Sequence, residues 1–222
     1  MRKKTLLSWS SGKDSAWALY LLKQNPTFEV LGLFTVINQE SNRAPMHSTR
    51  LEMLQRQSDA MGLPISFISL PDPCTNEQSD SIIGHFVAES ATKGIEYMAF
   101  GDLFLEDIRA YRQKQLKGSG IEALFPCWGI PTNTLAQEML SSGIEAYISS
   151  IDSRKLPKDL IGRKWTTEII DKFPMGCDPC GENGEFHTVV VAGPMFQRRI
   201  SVEVSKISEQ NGFAYADIIP IA

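Results

Sequence analysis

The apolar run Thr5-Leu6-Leu7-Ser8-Trp9 leads directly into Ser10-Ser11-Gly12-Lys13-Asp14-Ser15, and then into Ala16-Trp17-Ala18-Leu19-Tyr20-Leu21-Leu22. No other stretch restricts the fold as tightly. It reads as a strand, a tight turn of small residues and a helix that starts near Ser15. Such a turn aims several backbone N–H groups at one spot, and the helix start adds positive potential there, so the combination favours phosphate. Lys13 adds a mobile cation, Ser10, Ser11 and Ser15 add hydroxyls, and Asp14 adds a carboxylate that can hold magnesium. This chemistry suits a nucleoside triphosphate. The plain alternative is an ordinary strand-to-helix turn with Asp14 or Ser15 as N-cap.

The turn is not a Walker A loop. That pattern needs a glycine where this chain has Leu7 and a hydroxyl residue where it has Asp14. The arrangement resembles instead the SGGxDS loop of the PP-loop ATP pyrophosphatases, which cleave ATP between its α and β phosphates. One position departs: Ser11 stands where that family has glycine, and serine is tolerable there unless the turn needs φ > 0.

Downstream, apolar strands alternate with helical stretches. Strands are expected over 28–37, 65–70, 95–100 and 145–151, with an extended segment at 123–126. Helices are expected over 47–61, 77–93, 106–117 and 132–140. Strands and helices of this length imply parallel βαβ units with right-handed crossovers. The fold class is therefore α/β, a doubly wound, mainly parallel sheet with a smaller C-terminal β-containing part. Past residue 152 the text turns charged and loop-like, with a helix over 165–173. It then becomes β-rich: 186–193, 199–204 and 214–221 read as antiparallel strands joined through Gly193-Pro194 and Asn211-Gly212. This divides the 222 residues into a nucleotide-binding α/β domain, 1–151, and a C-terminal acceptor-side domain, 152–222.

Apolar residues at 42% and charged ones at 22% are ordinary globular values, so a sizeable core is available. A net charge of −4 gives no basic signature for long nucleic acid, although Arg109, Arg112, Lys114 and Lys117 form a local basic patch. The Met-Arg-Lys-Lys start mimics a signal peptide, but Ser8, Ser10, Ser11 and Gly12 break the apolar run at once. Without an apolar run of about 18 residues, no membrane span is expected. A cytoplasmic protein is expected, with Cys74, Cys127, Cys177 and Cys180 as thiols.

A second motif lies at Cys177-Asp178-Pro179-Cys180-Gly181-Glu182-Asn183-Gly184-Glu185-Phe186-His187-Thr188. Gly181 and Gly184 let the backbone approach a ligand, while Glu182, Glu185 and His187 bring acid–base capacity. Asn183 offers donors and acceptors. Taken alone, the segment also fits a turn that feeds a strand.

Together with the N-terminal loop, this segment resembles the diphthine–ammonia ligase family. Phe100-Gly101-Asp102-Leu103-Phe104-Leu105-Glu106-Asp107-Ile108-Arg109, Leu124-Phe125-Pro126-Cys127-Trp128 and Asp178-Pro179-Cys180 support the match, which spans most of the chain. The resemblance implies an adenine nucleotide α-hydrolase-like domain and an enzyme that amidates a carboxylate with ATP and ammonia, releasing AMP and pyrophosphate. It implies that Ser10, Ser11, Gly12, Lys13, Asp14 and Ser15 take the ATP phosphates and Mg²⁺, with Gly101 and Asp102 at the strand end beside them. Lys13, Glu182, Glu185 and His187 are the expected catalytic groups, and Asn183, Thr188 and Arg109 line the acceptor side. The acceptor would be diphthine on elongation factor 2 in an organism that makes diphthamide, and another acid elsewhere.

Two other classes stay open: a PP-loop tRNA-modifying enzyme, which would expose Cys177, and a nucleotide-binding protein without turnover. Zinc at Cys177-x-x-Cys180 needs two more ligands; His187 offers one, but Cys74 and Cys127 are isolated, so the set is incomplete. His47 and His85 lie in helical text as surface or capping residues, and Trp128 and Trp165 read as packing residues.

Overall fold

The computed structural model describes residues 1–44 and 48–221, so His47 lies outside the described residues. Five strands form one all-parallel sheet: β1 (Lys3–Ser8), β2 (Phe28–Asn38), β3 (Ile65–Leu70), β4 (Tyr97–Ala99) and β5 (Glu122–Leu124), in the order β3-β2-β1-β4-β5. Helices α1 (Lys13–Gln24), α2 (Leu51–Met61), α3 (Asn76–Thr92) and α4 (Glu106–Leu116) are the crossovers. The order reverses between β1 and β4. In open α/β sheets that point leaves a crevice beyond the strands' carboxyl ends, and both the Ser10–Ser15 turn and Gly101-Asp102 fall there.

The central strands β1, β2 and β4 pack apolar residues on both faces, which explains their near-continuous apolar text, whereas the edge strands β3 and β5 are partly exposed. Leu7, Leu33, Ile37 and Ala99 face a core under α1 and α2, whereas Phe34, Ile68, Met98 and Phe100 face another that includes Val87 and Leu116. The alternation within β2 and β4 follows the period of two that a strand imposes.

The second sheet is antiparallel and four-stranded, in the order β7-β6-β9-β8: β6 (Glu145–Asp152), β7 (Phe186–Ala192), β8 (Val202–Gln210) and β9 (Phe213–Pro220). The strand expected at 145–151 does form, as β6, but α5 (Thr132–Ser141) delivers it to this sheet and not to the parallel one. Isolated apolar text does not specify a strand's partner, and β6 is buried on both faces much as a parallel strand would be. The two layers share one core, in which Leu7, Trp9 and Leu19 pack in one cluster with Phe186, Val189 and Ile218.

Two further expectations shift. The helix expected at 165–173 shrinks to α6 (Thr167–Ile170), because Trp165 is buried with its indole N–H on the Pro179 carbonyl at 3.1 Å. The strand expected at 199–204 slides to β8, because Asn211 (φ 52°) and Gly212 (φ 82°) form the tight turn that pairs β8 with β9. Among the described residues, no helix is long and apolar enough to cross a membrane.

Arg43 and Arg50 cross from the first layer to Asp217 on β9. The Arg43 Nη1–Oδ1 distance is 3.1 Å and the Arg50 Nε–Oδ1 distance 2.9 Å. Hydrogen bonds from Arg50 first, then from Arg43, hold the Asp217 carboxyl down at about 2. Against an unfolded value near 3.9, that depression corresponds to about 2.5 kcal/mol. The contribution is present above about pH 4 and fades as pH falls towards 2. Asp217→Asn should therefore lower urea stability by about that amount at pH 7, with the difference from wild type vanishing near pH 2.

Candidate functional site

The Ser10–Ser15 turn owes its shape to the second sheet. Gly12 is the N-cap of α1 and offers no side chain to cap with. The missing acceptor comes from β7: Lys13 N–H donates to Thr188 Oγ1 at 3.1 Å. Val190 N–H donates to the Ser11 carbonyl at 2.9 Å. From α2, the fully buried Gln57 donates through Nε2 to the carbonyls of Ser11 (3.0 Å) and Val190 (2.7 Å), and accepts from Trp9 Nε1 at 2.8 Å.

Ser11 has φ 72°, so the turn does require the left-handed region at this position. A non-glycine residue there costs on the order of 1–2 kcal/mol. The bonds to Ser11 O and the 2.8 Å contact between Ser11 Oγ and Thr49 Oγ1 hold it in place. Ser11 is completely buried and lies behind the cleft, whereas Ser10, Gly12, Lys13, Asp14 and Ser15 line it.

Gly101 is fixed by close approach. A Cβ there would lie 2.8 Å from Ser15 N and 2.9 Å from the Asp14 carbonyl carbon, both backbone atoms of α1. Gly181 combines φ 73° with a Cβ position 2.7 Å from the Phe186 carbonyl oxygen. Only glycine satisfies both conditions at 181.

Lys13 is not the mobile cation expected from its place in the turn. It is 1% exposed. Its ammonium donates to Asp14 Oδ1 (3.0 Å) and Oδ2 (2.9 Å) and to the Cys180 carbonyl, 5.4 Å from the Trp165 ring centre and 5.2 Å from that of Phe186. Burial alone would lower its pKa, but the Asp14 charge and hydrogen bond raise it above the usual lysine range, so it stays charged.

The turn carrying the second motif is braced by its own carboxylates. Asp178 accepts from Cys180 N at 3.3 Å and from Glu182 N at 2.8 Å. Glu185 Oε1 accepts from Asp178 N and Asn183 Nδ2, both at 3.3 Å. Glu185 is buried and does not line the cleft, so its position is that of a brace. Asn183 is exposed on the far side of the turn, where its carbonyl accepts from Lys155. Arg109 stacks on Trp128 (4.6 Å to the ring centre) and Phe125 (5.6 Å), also away from the cleft lining.

Glu182, His187 and Thr188 do reach the cleft. Glu182 Oε1 accepts from Leu103 N at 2.7 Å, joining the second motif to the segment after Gly101-Asp102. Burial pushes the Glu182 carboxyl up to about 7; the Leu103 bond opposes this, and the charges of Asp14 and Asp102 reinforce it. Burial, then the Lys13 charge, lowers His187 to about 4, so its ring is neutral at neutral pH. Asp102 is raised by burial against the opposing Arg112 charge.

The cleft is a cavity of about 180 Å³ that opens to solvent. Arg112, Phe100 and Phe186 also line it and were not foreseen as site residues. Arg112 follows Arg109 by one helical turn on α4, a spacing visible in the text, but only the fold shows which of the two faces inward. Gln57 had a signal too: it falls on the same α2 stripe as Met53, Leu54, Ala60 and Met61, a polar residue among buried apolar ones. His85 is exposed, with Nδ1 2.7 Å from the Ser81 carbonyl. All four cysteines are free, and no group of three or more His, Cys, Asp or Glu among the described residues is arranged to hold a metal.

Fold and cleft together define an α/β protein with a phosphate-type turn at the switch point of its parallel sheet, closed over by an antiparallel sheet. Residues 3–123 match the diphthamide synthase N-terminal domain and residues 131–219 the diphthamide synthase C-terminal domain; the chain belongs to the diphthamide synthase family. It is 26% identical to diphthine–ammonia ligase of Bos taurus over 131 residues, covering 56% of this chain and 48% of the relative. The Homo sapiens protein of the same name is 25% identical over the same span. That of Schizosaccharomyces pombe is 25% identical over 122 residues, 20% of its own length. The chain thus spans about half the length of the mammalian relatives it matches.

The Thr188 cap yields a test. Thr188→Val should destabilise the fold by about 1–3 kcal/mol in urea unfolding, because the buried Lys13 N–H is left unpaired. Thr188→Ser, which keeps the hydroxyl, should recover most of that loss.

Proposed function

We propose that the protein is an ATP-dependent carboxylate–ammonia ligase that forms AMP and pyrophosphate. The observation that carries this reading is the pairing, in one cleft, of a phosphate-type turn with a half-buried carboxylate on the opposite wall. The relatives' name supplies the reaction class, joining of ammonia to diphthine; our reading takes that diphthine to be the one on elongation factor 2 in a cell that makes diphthamide. The cytosol is the corresponding compartment.

The carboxylate of the acceptor attacks the α-phosphorus of ATP; a P–O bond forms to the acyl oxygen and the α–β bridge breaks, releasing pyrophosphate. Amide N–H groups at the start of α1 face the polyphosphate, and Lys13 adds a fixed positive field from beneath. Ammonia then attacks the acyl carbon and AMP leaves with the bonding pair. Asp14 offers an oxygen donor of the kind Mg²⁺ takes alongside nucleotide phosphates, and the ion would neutralise phosphate charge there.

Ammonia must arrive unprotonated, and its nitrogen must lose a proton after attack. Glu182, balanced near neutrality among Lys13, Asp14 and Asp102, suits the task of proton acceptor. His187 is held neutral and can pair with the acyl phosphate without adding charge. The sulfur-transferring tRNA-modification reading loses support: burial, then Glu185 and Asp178, pushes the Cys177 thiol up to about 12, and Cys180 is 2% exposed.

Incubation with ATP, Mg²⁺, ammonium and diphthine-bearing elongation factor 2 should give AMP and amide in equal amounts, whereas ADP and phosphate as products would contradict the reading. The rate at saturating ammonium should rise with pH through about 7 as Glu182 ionises. Glu182→Gln should lose that limb and slow turnover by roughly 10²–10⁴-fold.

A further inference from the structure

Lys13 is committed to Asp14 and the Cys180 carbonyl, so its charge acts on a bound nucleotide from beneath and not as a direct ligand. We propose that Arg112 grips the α-phosphate, the group on which the reaction takes place; this inference rests on the nucleotide reading above.

Three observations lead there. First, Arg112 lies at a junction. It lines the polar cleft, and it also lines an adjoining apolar recess with Phe34, Val36, Met98 and Phe100. A nucleotide has the same division, an apolar base at one end and polyphosphate at the other, with the α-phosphate near the join. If the polyphosphate lies over the start of α1 and the base is on the apolar side, the join falls beside Arg112.

Second, the bonding of Arg112 is incomplete. Its Nε is buried without a hydrogen-bond partner, and so is Asp102 Oδ2, 3.7 Å away. A purely structural ion pair would close that gap to a bond of about 2.7–2.9 Å. Buried polar atoms left open on both partners are uncommon in folded proteins. Here they leave a donor on Arg112 and an acceptor on Asp102 open, on two residues that both line the cleft.

Third, the guanidinium is held in place without using that capacity. Its carbon lies 5.1 Å from the centre of the Phe100 ring, a contact that leaves the N–H fork in the guanidinium plane. A planar fork of this kind matches two phosphate oxygens, which an ammonium cannot do. Arg112 would turn from Asp102 towards the phosphate when a nucleotide binds.

The test is calorimetric titration of the intact protein with ATP, AMP and adenosine, on wild type, Arg112→Gln and Arg112→Lys. Arg112→Gln should weaken ATP and AMP by the same factor, roughly 10- to 100-fold, as expected for lost charged hydrogen bonds. Adenosine affinity should not change. Arg112→Lys, which keeps the charge but not the fork, should fall between the two.

Loss of ATP affinity alone, with AMP spared, would place Arg112 on the outer phosphates and overturn the assignment. Equal weakening of all three ligands would make it a shaper of the pocket, and no weakening would make it a bystander; either result overturns the proposal. If adenosine binds too weakly to titrate, the equality of the ATP and AMP factors decides. Should Arg112→Gln fail to fold, Arg112→Lys decides by the same comparison. A folded wild type that binds neither ATP nor AMP would overturn the nucleotide reading itself, and this inference with it.

Discussion

The ammonium of Lys13 is withdrawn from water and held by both oxygens of Asp14, the carbonyl of Cys180 and the faces of two aromatic rings. An isolated buried charge would be costly, so each of these partners is needed. Because Lys13 and Asp14 belong to the first layer and Cys180 to the turn of the second, the interaction fixes the distance between the two walls of the cleft. Asp178, Glu185 and Glu182 then brace the turn that presents the Cys180 carbonyl. Removing the charge would leave that turn without its anchor on the phosphate side.

The same dependence runs through the backbone. The turn after β1 takes a positive φ at Ser11 and has no capping side chain at Gly12, two features that a phosphate loop would ordinarily resolve with its own residues. Here Thr188, Val190 and Gln57 resolve them from outside. The antiparallel sheet is therefore more than an appended acceptor platform. It is part of what gives the phosphate-type turn its shape, and the shared core around Leu7, Phe186 and Val189 gives it the rigidity to do so.

Much of this was legible in the text. The strand–turn–helix at Thr5–Leu22 and the alternation of strands and helices up to α4 follow from period and turn chemistry, and both appear as read. Gly101 and Asp102 were placed at a strand end, and they lie at the switch point. What the text could not carry was pairing. β6 has the apolar character of a parallel strand, and only its partners β7 and β9 reveal it as antiparallel. The site residues divide in the same way. Glu182 and His187 reach the cleft, while Glu185, three residues after Glu182 and two before His187, turns into the protein and bonds Asp178 and Asn183. Lys13 was read from its neighbours as an exposed loop cation, because nothing local announces that Trp165, Cys180 and Phe186 will enclose it. Arg109 and Arg112 are one helical turn apart with identical chemistry, and their different destinations are set by Trp128 and Phe100, which arrive from other elements.

The central claim is that Lys13 is a structural cation joining the two walls of the cleft. The most direct measurement is the unfolding free energy of Lys13→Met in urea without nucleotide, since methionine keeps most of the stem and removes only the charge. The account predicts a loss of about 3 kcal/mol or more, as for other buried pairs broken on one side. A Lys13→Met protein as stable as wild type that had nevertheless lost nucleotide binding would contradict it, and would return Lys13 to the role of a mobile phosphate ligand.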